Sequence, residues 1–174
     1  ILKGLAAALL AGGSRSHART ATSHGGPAIN DAPVKLKVAA IQMSPKLADI
    51  ESNLNQAEQL VREALRKSAQ WVILPEMFTS AAAFHPDMLK RLAREGNAVI
   101  GGSFLARHDK QVFNTFVLVS PDGTVAQHNK DFPTYWENCY YKKGNDDGVL
   151  TTPIGSVGSV LCWEFVRSNT ARRL

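Results

Sequence analysis

The chain has 174 residues, 44% hydrophobic, 20% charged and 7% aromatic, the composition of one ordinary globular domain, which excludes a disordered or collagenous polymer. The formal charge of +5 is concentrated at the ends: residues 1–30 hold Lys3, Arg15 and Arg19 and no acid, residues 167–174 hold Arg167, Arg172 and Arg173, and the stretch between carries 14 bases against 15 acids. A nucleic-acid-binding protein needs a clustered basic face on its body, and none is visible. Two cysteines, Cys139 and Cys162, are too few for a disulfide framework and lack C-x-x-C spacing, and no run reaches the ~18 apolar residues of a membrane helix.

Residues 1–34 are set apart as leader and linker, and residues 35–174 as the domain. Lys3 followed by the apolar run from Gly4 to Ala11 has the order of a secretory signal, with Ser16-His17-Ala18 as a small-residue cleavage site. The absence of acids also fits an organellar transit peptide, and a leader without an address is the third reading. On that last reading the expected location is cytoplasmic.

Regular structure begins after Pro27 and Pro33. Leu36 to Gln42 is a β-rich run ending at Ser44-Pro45, which predicts a first strand. From Glu51 to Ala69, Leu54, Ala57, Leu60, Val61, Ala64 and Leu65 recur at three and four residues and predict an amphipathic helix. Trp71 to Leu74 is a short apolar run, the mark of a strand buried on both faces. Pro86, Leu89, Leu92 and Ala93 with a stop at Gly96 predict a second helix. Strands follow over 98–104, 112–119 and 124–129, the last two joined by the turn Ser120-Pro121-Asp122-Gly123. After the loop from Gly144 to Gly148, Val157 to Leu161 predicts a last buried strand, and Trp163 to Arg173 a helix directly after it. The order is that of an α/β domain with helices covering a sheet.

Three reactive residues each follow a predicted strand: Glu76, Lys130 and Cys162. Groups beyond strand ends point into the ligand crevice of such sheets, so the three can converge. Singly, each also reads as a solvated loop acid, a solvated lysine and a small buried hydrophobe. Together they answer a chemical need. A thiol with an ordinary pKa of ~8.5 is mostly protonated at neutral pH and needs a base or a nearby cation to act as a nucleophile. No histidine stands in a protease signature. Glu76 can serve as base if burial raises it, and a Lys130 charge at ~4 Å and an effective dielectric near 20 is worth about 4 kcal/mol to a thiolate or oxyanion.

Lys37-Val38-Ala39-Ala40-Ile41-Gln42-Met43, Ile73-Leu74-Pro75-Glu76-Met77-Phe78, Phe113-Asn114-Thr115 with Pro121-Asp122-Gly123, His128-Asn129-Lys130 and Leu161-Cys162-Trp163-Glu164 resemble, in order, the blocks of the nitrilase or carbon-nitrogen hydrolase superfamily. The resemblance covers residues 36–174. It implies an αββα sandwich of the nitrilase type and a Glu–Lys–Cys triad, with Glu76 as general base, Cys162 as nucleophile and Lys130 stabilising the tetrahedral intermediate. Glu137, in Tyr135-Trp136-Glu137-Asn138, falls where many members place a second, supporting Glu. The backbone N–H of Trp163, opening the final helix, is the expected second oxyanion donor. Glu164 is open between shaping the pocket and serving only the helix dipole. Cys139 reads as structural, and Trp136, Tyr140 and Tyr141 as packing or as the pocket mouth.

The implied activity is thiol hydrolysis of an amide or nitrile, with no metal and no organic cofactor; the substrate is a small molecule, with no nucleic acid or membrane partner. The alternative is a catalytically inactive family fragment that binds or associates. Members of the superfamily continue past the nucleophile with further strands and helices, so the expectation is an N-terminal part of the domain, truncated after the nucleophile helix, whose full-length form is a homo-oligomer. On that expectation the strand before Cys162 exposes its faces.

Overall fold

A computed structural model describes residues 9–10, 35–80 and 86–174; the three readings of residues 1–30 lie outside the described residues, apart from the backbone at Leu9–Leu10. That pair is a short strand, β1, and belongs to a second sheet described below.

Two strand–helix–strand units open the domain: β2 (Val38–Ala40), α1 (Ile50–Arg66), β3 (Trp71–Ile73), α2 (Asp87–Gly96) and β4 (Val99–His108). β2, β3 and β4 are parallel neighbours, as the intervening helices require. β5 (Gln111–Val119) and β6 (Val125–Asn129) then add antiparallel, giving the order β2-β3-β4-β5-β6.

The helices form where expected, with local reasons at their ends. Asp49 caps α1 by accepting the Ser52 N–H at 3.1 Å, and Ala57, Val61 and Ala64 face inward. Asn53 is buried among them because its amide both donates to the Lys46 carbonyl at 2.8 Å and accepts the Lys46 N–H at 2.7 Å. α2 buries Leu89, Leu92 and Ala93, and it ends at Asn97 in the left-handed region rather than at Gly96.

Alternation along the strands separates two cores. Val72, Leu74, Val117 and Val119 join Ile100 and the helices in one; Trp71, Ile73, Phe116 and Leu118 join Leu150, Val157 and Leu161 in the other. Between them, Gly101 of β4 leaves room for the Phe116 ring, which a Cβ there would approach to 2.8 Å. The second core lies between the two sheets, so the described residues stack as helices, five-stranded sheet and smaller sheet.

The smaller sheet has the order β1-β8-β7, from β7 (Val149–Thr152) and β8 (Gly155–Ser159), both pairings antiparallel. Here the structure corrects four expectations. The sequence predicts no strand at β7, because Val149-Leu150-Thr151-Thr152, followed by Pro153, carries little apolar signal. The predicted strand 157–161 lies two residues earlier, although Val160 and Leu161 remain buried. Its side chains are not exposed: Val157 is 2% and Leu161 0% accessible, covered by the central sheet. The single helix predicted over 163–173 is instead a 3₁₀ turn, Cys162–Val166, an extended Arg167, and α3 (Ser168–Arg173). The cause is Glu164, whose side chain is drawn inward, and Arg167, whose guanidinium stacks 3.6 Å over the Phe132 ring.

Candidate active site

Glu76 stands two residues beyond Leu74, where the backbone turns sharply. The turn is held by the Met77 N–H, which donates to Ser103 Oγ at 2.9 Å, with Met77 itself left-handed (φ 55°). From β5, two strands away across the sheet, Asn114 Nδ2 donates to Glu76 Oε1 at 2.8 Å.

Lys130 extends β6 by one rung, its N–H donating to the Asn114 carbonyl at 2.9 Å while its own carbonyl accepts the Gly144 N–H at 2.7 Å. Gly144 is obligatory there, since a Cβ would lie 2.0 Å from the Asn129 carbonyl oxygen. The Lys130 side chain has no solvent exposure, and Nζ lies 3.0 Å from both the Glu76 and Glu137 carboxylates. Burial alone pushes the Lys130 pKa down, but the Glu76 and Glu137 carboxylates outweigh it and hold it above its ordinary value.

Glu137 comes from the 3₁₀ turn Tyr135–Cys139. Its carboxylate also accepts the Thr134 N–H and the Tyr141 hydroxyl. Burial opposes ionisation of Glu137, yet these donors and Lys130 hold its pKa below the ordinary value. Tyr141 is pushed well above the phenol range by burial and by Glu137.

Cys162 follows β8 at a strand-to-turn elbow. Its φ is 54°, a left-handed conformation that costs a non-glycine residue roughly 1–2 kcal/mol and is retained where a side chain must be presented. The thiol is half-buried. Burial first, and then the Glu76 charge, push its pKa up; Lys130 and the Trp163 N–H act in the opposite direction. The same three groups, Glu76, Lys130 and Glu137, therefore bear on one thiol. Cys139 is exposed and lies outside this cluster.

Glu164 is not a first-turn acid answering a helix dipole. It is fully buried, and its two oxygens accept the Asp131 N–H at 2.5 Å and the Leu161 N–H at 2.7 Å, with His128 Nε2 3.1 Å away. The other ring nitrogen, Nδ1, meets Asp146. Burial would lower the His128 pKa, but Asp146 and Glu164 raise it to about 9.

Beside Glu76 and Glu137 lies a cavity of about 570 Å³ walled by Met77, Leu105, Trp136, Tyr140 and Tyr141, so these three aromatic residues line a pocket, while the adjacent Tyr135 is exposed outside it. Among the described residues no group of three or more His, Cys, Asp or Glu is arranged to hold a metal ion. No helix among them is long and apolar enough to cross a membrane.

Asn114, His128 and Asp146 join the site without being expected there from the sequence. His128 had a signal: it lies two positions before Lys130, and alternation puts both on one face of β6.

The carbon-nitrogen hydrolase family model matches residues 37–174. A nitrilase of Pyrococcus abyssi is 27% identical over 158 residues, covering 80% of this chain and 60% of the relative. An omega-amidase of Xenopus laevis is 31% identical over 158 residues, covering 77% and 56%. Among solved structures, a mutant amidase from Nesterenkonia sp. AN1, with acrylamide added to its active-site cysteine, superposes with a TM-score of 0.69 at 19% identity, covering 80% of this chain and 62% of the other. The chain spans a little over half the length of these curated relatives. With the nitrilase fold and the ordered sequence blocks, the match places this chain in the carbon-nitrogen hydrolase family.

Proposed function

We propose that the protein hydrolyses non-peptide carbon–nitrogen bonds of a small amide or nitrile through a covalent intermediate on Cys162. The observation that carries this reading is the Lys130 ammonium, without solvent exposure and 3.0 Å from both Glu76 and Glu137, acting with them on the Cys162 thiol. Two carboxylates face one ammonium, and the thiol is held above its ordinary pKa. The nucleophile is therefore a thiol that loses its proton as it attacks, not a standing thiolate.

On an amide, Sγ bonds to the carbonyl carbon as Glu76 takes the thiol proton. The oxyanion falls to the Lys130 ammonium and the Trp163 N–H. The tetrahedral adduct collapses by breaking the C–N bond, and the leaving nitrogen takes the proton from Glu76. Water, deprotonated by Glu76, then attacks the thioester and releases the carboxylic acid and the thiol. On a nitrile, the same attack gives a thioimidate; one water displaces ammonia to give the thioester, and a second releases the acid. Glu137 keeps Lys130 charged and aimed. The nitrilase and amidase relatives support both substrate types, and Trp163 and Glu164 after the nucleophile resemble the nitrilase branch.

A panel of aliphatic and aromatic amides and nitriles, with mass analysis of the Cys162 peptide during turnover, tests the reading. An acyl adduct on Cys162 and release of acid are expected. Binding without hydrolysis or adduct would favour the inactive, binding-only alternative.

A further inference from the structure

Lys130 and Cys162 come from different sheets, and neither sheet alone sets the distance between them. The backbone on both sides of Lys130 is tied to two buried or half-buried carboxylates: the Asn129 N–H donates to Asp146 Oδ2 at 2.9 Å, and the Asp131 N–H to Glu164 Oε1 at 2.5 Å. The same two acids hold the other sheet. Glu164 Oε2 accepts the N–H of Leu161, the residue before Cys162, at 2.7 Å. Asp146 Oδ1 accepts the Gly148 N–H at 3.0 Å, and the Gly148 carbonyl accepts the Ser159 N–H of β8 at 2.7 Å. Between the acids stands the imidazole of His128, fully buried, with Nδ1 on Asp146 and Nε2 on Glu164.

We propose that His128 is a positioning residue: clamped between Asp146 and Glu164, its imidazole ties the backbone flanking Lys130 to the backbone preceding Cys162 and so sets the separation of ammonium and thiol. The inference rests on the roles assigned above to Lys130 and Cys162. Only an imidazolium donates from both ring nitrogens, so the protonated ring satisfies both acids at once. Without it the buried Glu164 carboxyl and the partly exposed Asp146 carboxylate face each other with no donor between them. The other ionic groups nearby are already engaged: Asp131 with Arg173 of α3 at 2.8 Å, and Lys130 with Glu76 and Glu137. Nothing else among the described residues bridges the two acids.

The test is a double-mutant cycle read on the thiol, in a Cys139→Ala background. The pH midpoint of Cys162 alkylation by iodoacetamide is measured for the otherwise native protein, Lys130→Met, His128→Gln and the double variant. Lys130→Met is expected to raise the midpoint by about one pH unit or more in the native background, and by less than a third as much with His128→Gln. Asp146→Asn, which loosens one arm of the clamp, is expected to act in the same direction and covers the case in which His128→Gln does not fold. A residue that merely stabilises the fold would lower the melting temperature and leave the Lys130 effect intact, so equal Lys130 effects in both backgrounds overturn the inference. No Lys130 effect in the native background overturns the pairing of Lys130 with Cys162, and the inference with it.

Discussion

Asn114 donates to Glu76 Oε1 at 2.8 Å while its backbone carbonyl accepts the Lys130 N–H at 2.9 Å, so a single residue of β5 ties the candidate base to the strand that carries the candidate cation. A hydrogen bond to a charged group is worth roughly 1.5–3 kcal/mol. Asn114→Leu removes it without touching substrate. The expected result is a kcat lower by about 10- to 100-fold with KM changed much less, read from steady-state kinetics on the best amide or nitrile. A change confined to KM would place Asn114 in substrate binding instead.

Cys162→Ala is expected to abolish turnover and leave the fold intact, whereas Cys139→Ala, at an exposed position outside the cluster, changes little. Peptide mapping after limited iodoacetamide treatment, with and without substrate, checks the assignment. Substrate should protect Cys162 alone.

Lys130→Met deletes the cation proposed to meet the oxyanion and leaves Glu76 and Glu137 facing each other, so a rate loss of ~10² or more is expected. Glu76→Gln keeps the size and the contact to Asn114 but cannot accept the thiol proton; a loss of ~10²–10⁴ is expected. Single-turnover rates for both variants decide. A near-native rate in either removes that residue from the mechanism.

What was legible in the sequence was whatever repeats with a period or ends at a strand. The α1 stripe of Ala57, Val61 and Ala64 and the α2 stripe of Leu89, Leu92 and Ala93 are the buried faces. Glu76 and Lys130 meet at hydrogen-bond distance because the strands before them end on the same side of one sheet, a property of topology that local reading anticipates, whereas Glu137 reaches Lys130 from a 3₁₀ turn and is expected only from the family resemblance. Glu164 was ambiguous for a physical reason: a first-turn acid looks the same in sequence whether it faces water or turns inward to bind Leu161 and Asp131. That inward turn also breaks the predicted final helix. Asp146 lies in a Gly- and Asp-rich loop whose composition signals only a turn, and its link to His128 spans 18 residues.

The buried His128 makes stability depend on pH in a stated direction. Its pKa is raised from 6.5 to about 9 in the folded protein. A base held more protonated when folded contributes stability that is complete below the unfolded value and lost as pH climbs through the folded one. Between pH ~6.5 and ~9 this amounts to about 2.5 kcal/mol, or a fall of roughly 5–10 °C in melting temperature for a domain of this size. Cys162, Lys130 and Tyr141, all pushed up, act in the same direction, but their unfolded values lie near or above the top of that window; Glu164, which faces His128 and is also pushed up by burial, acts in that direction from an unfolded value below it. Melting curves at half-unit steps from pH 6 to 9.5 should therefore slope downward for the native chain. His128→Gln should start lower and slope less steeply over the same range, the difference between the two slopes being the part that the imidazole and its pairing with the carboxylates contribute. Parallel slopes for the two proteins would mean that His128 is not charged between its carboxylates, and that the clamp around Lys130 and Cys162 is held by neutral hydrogen bonds alone.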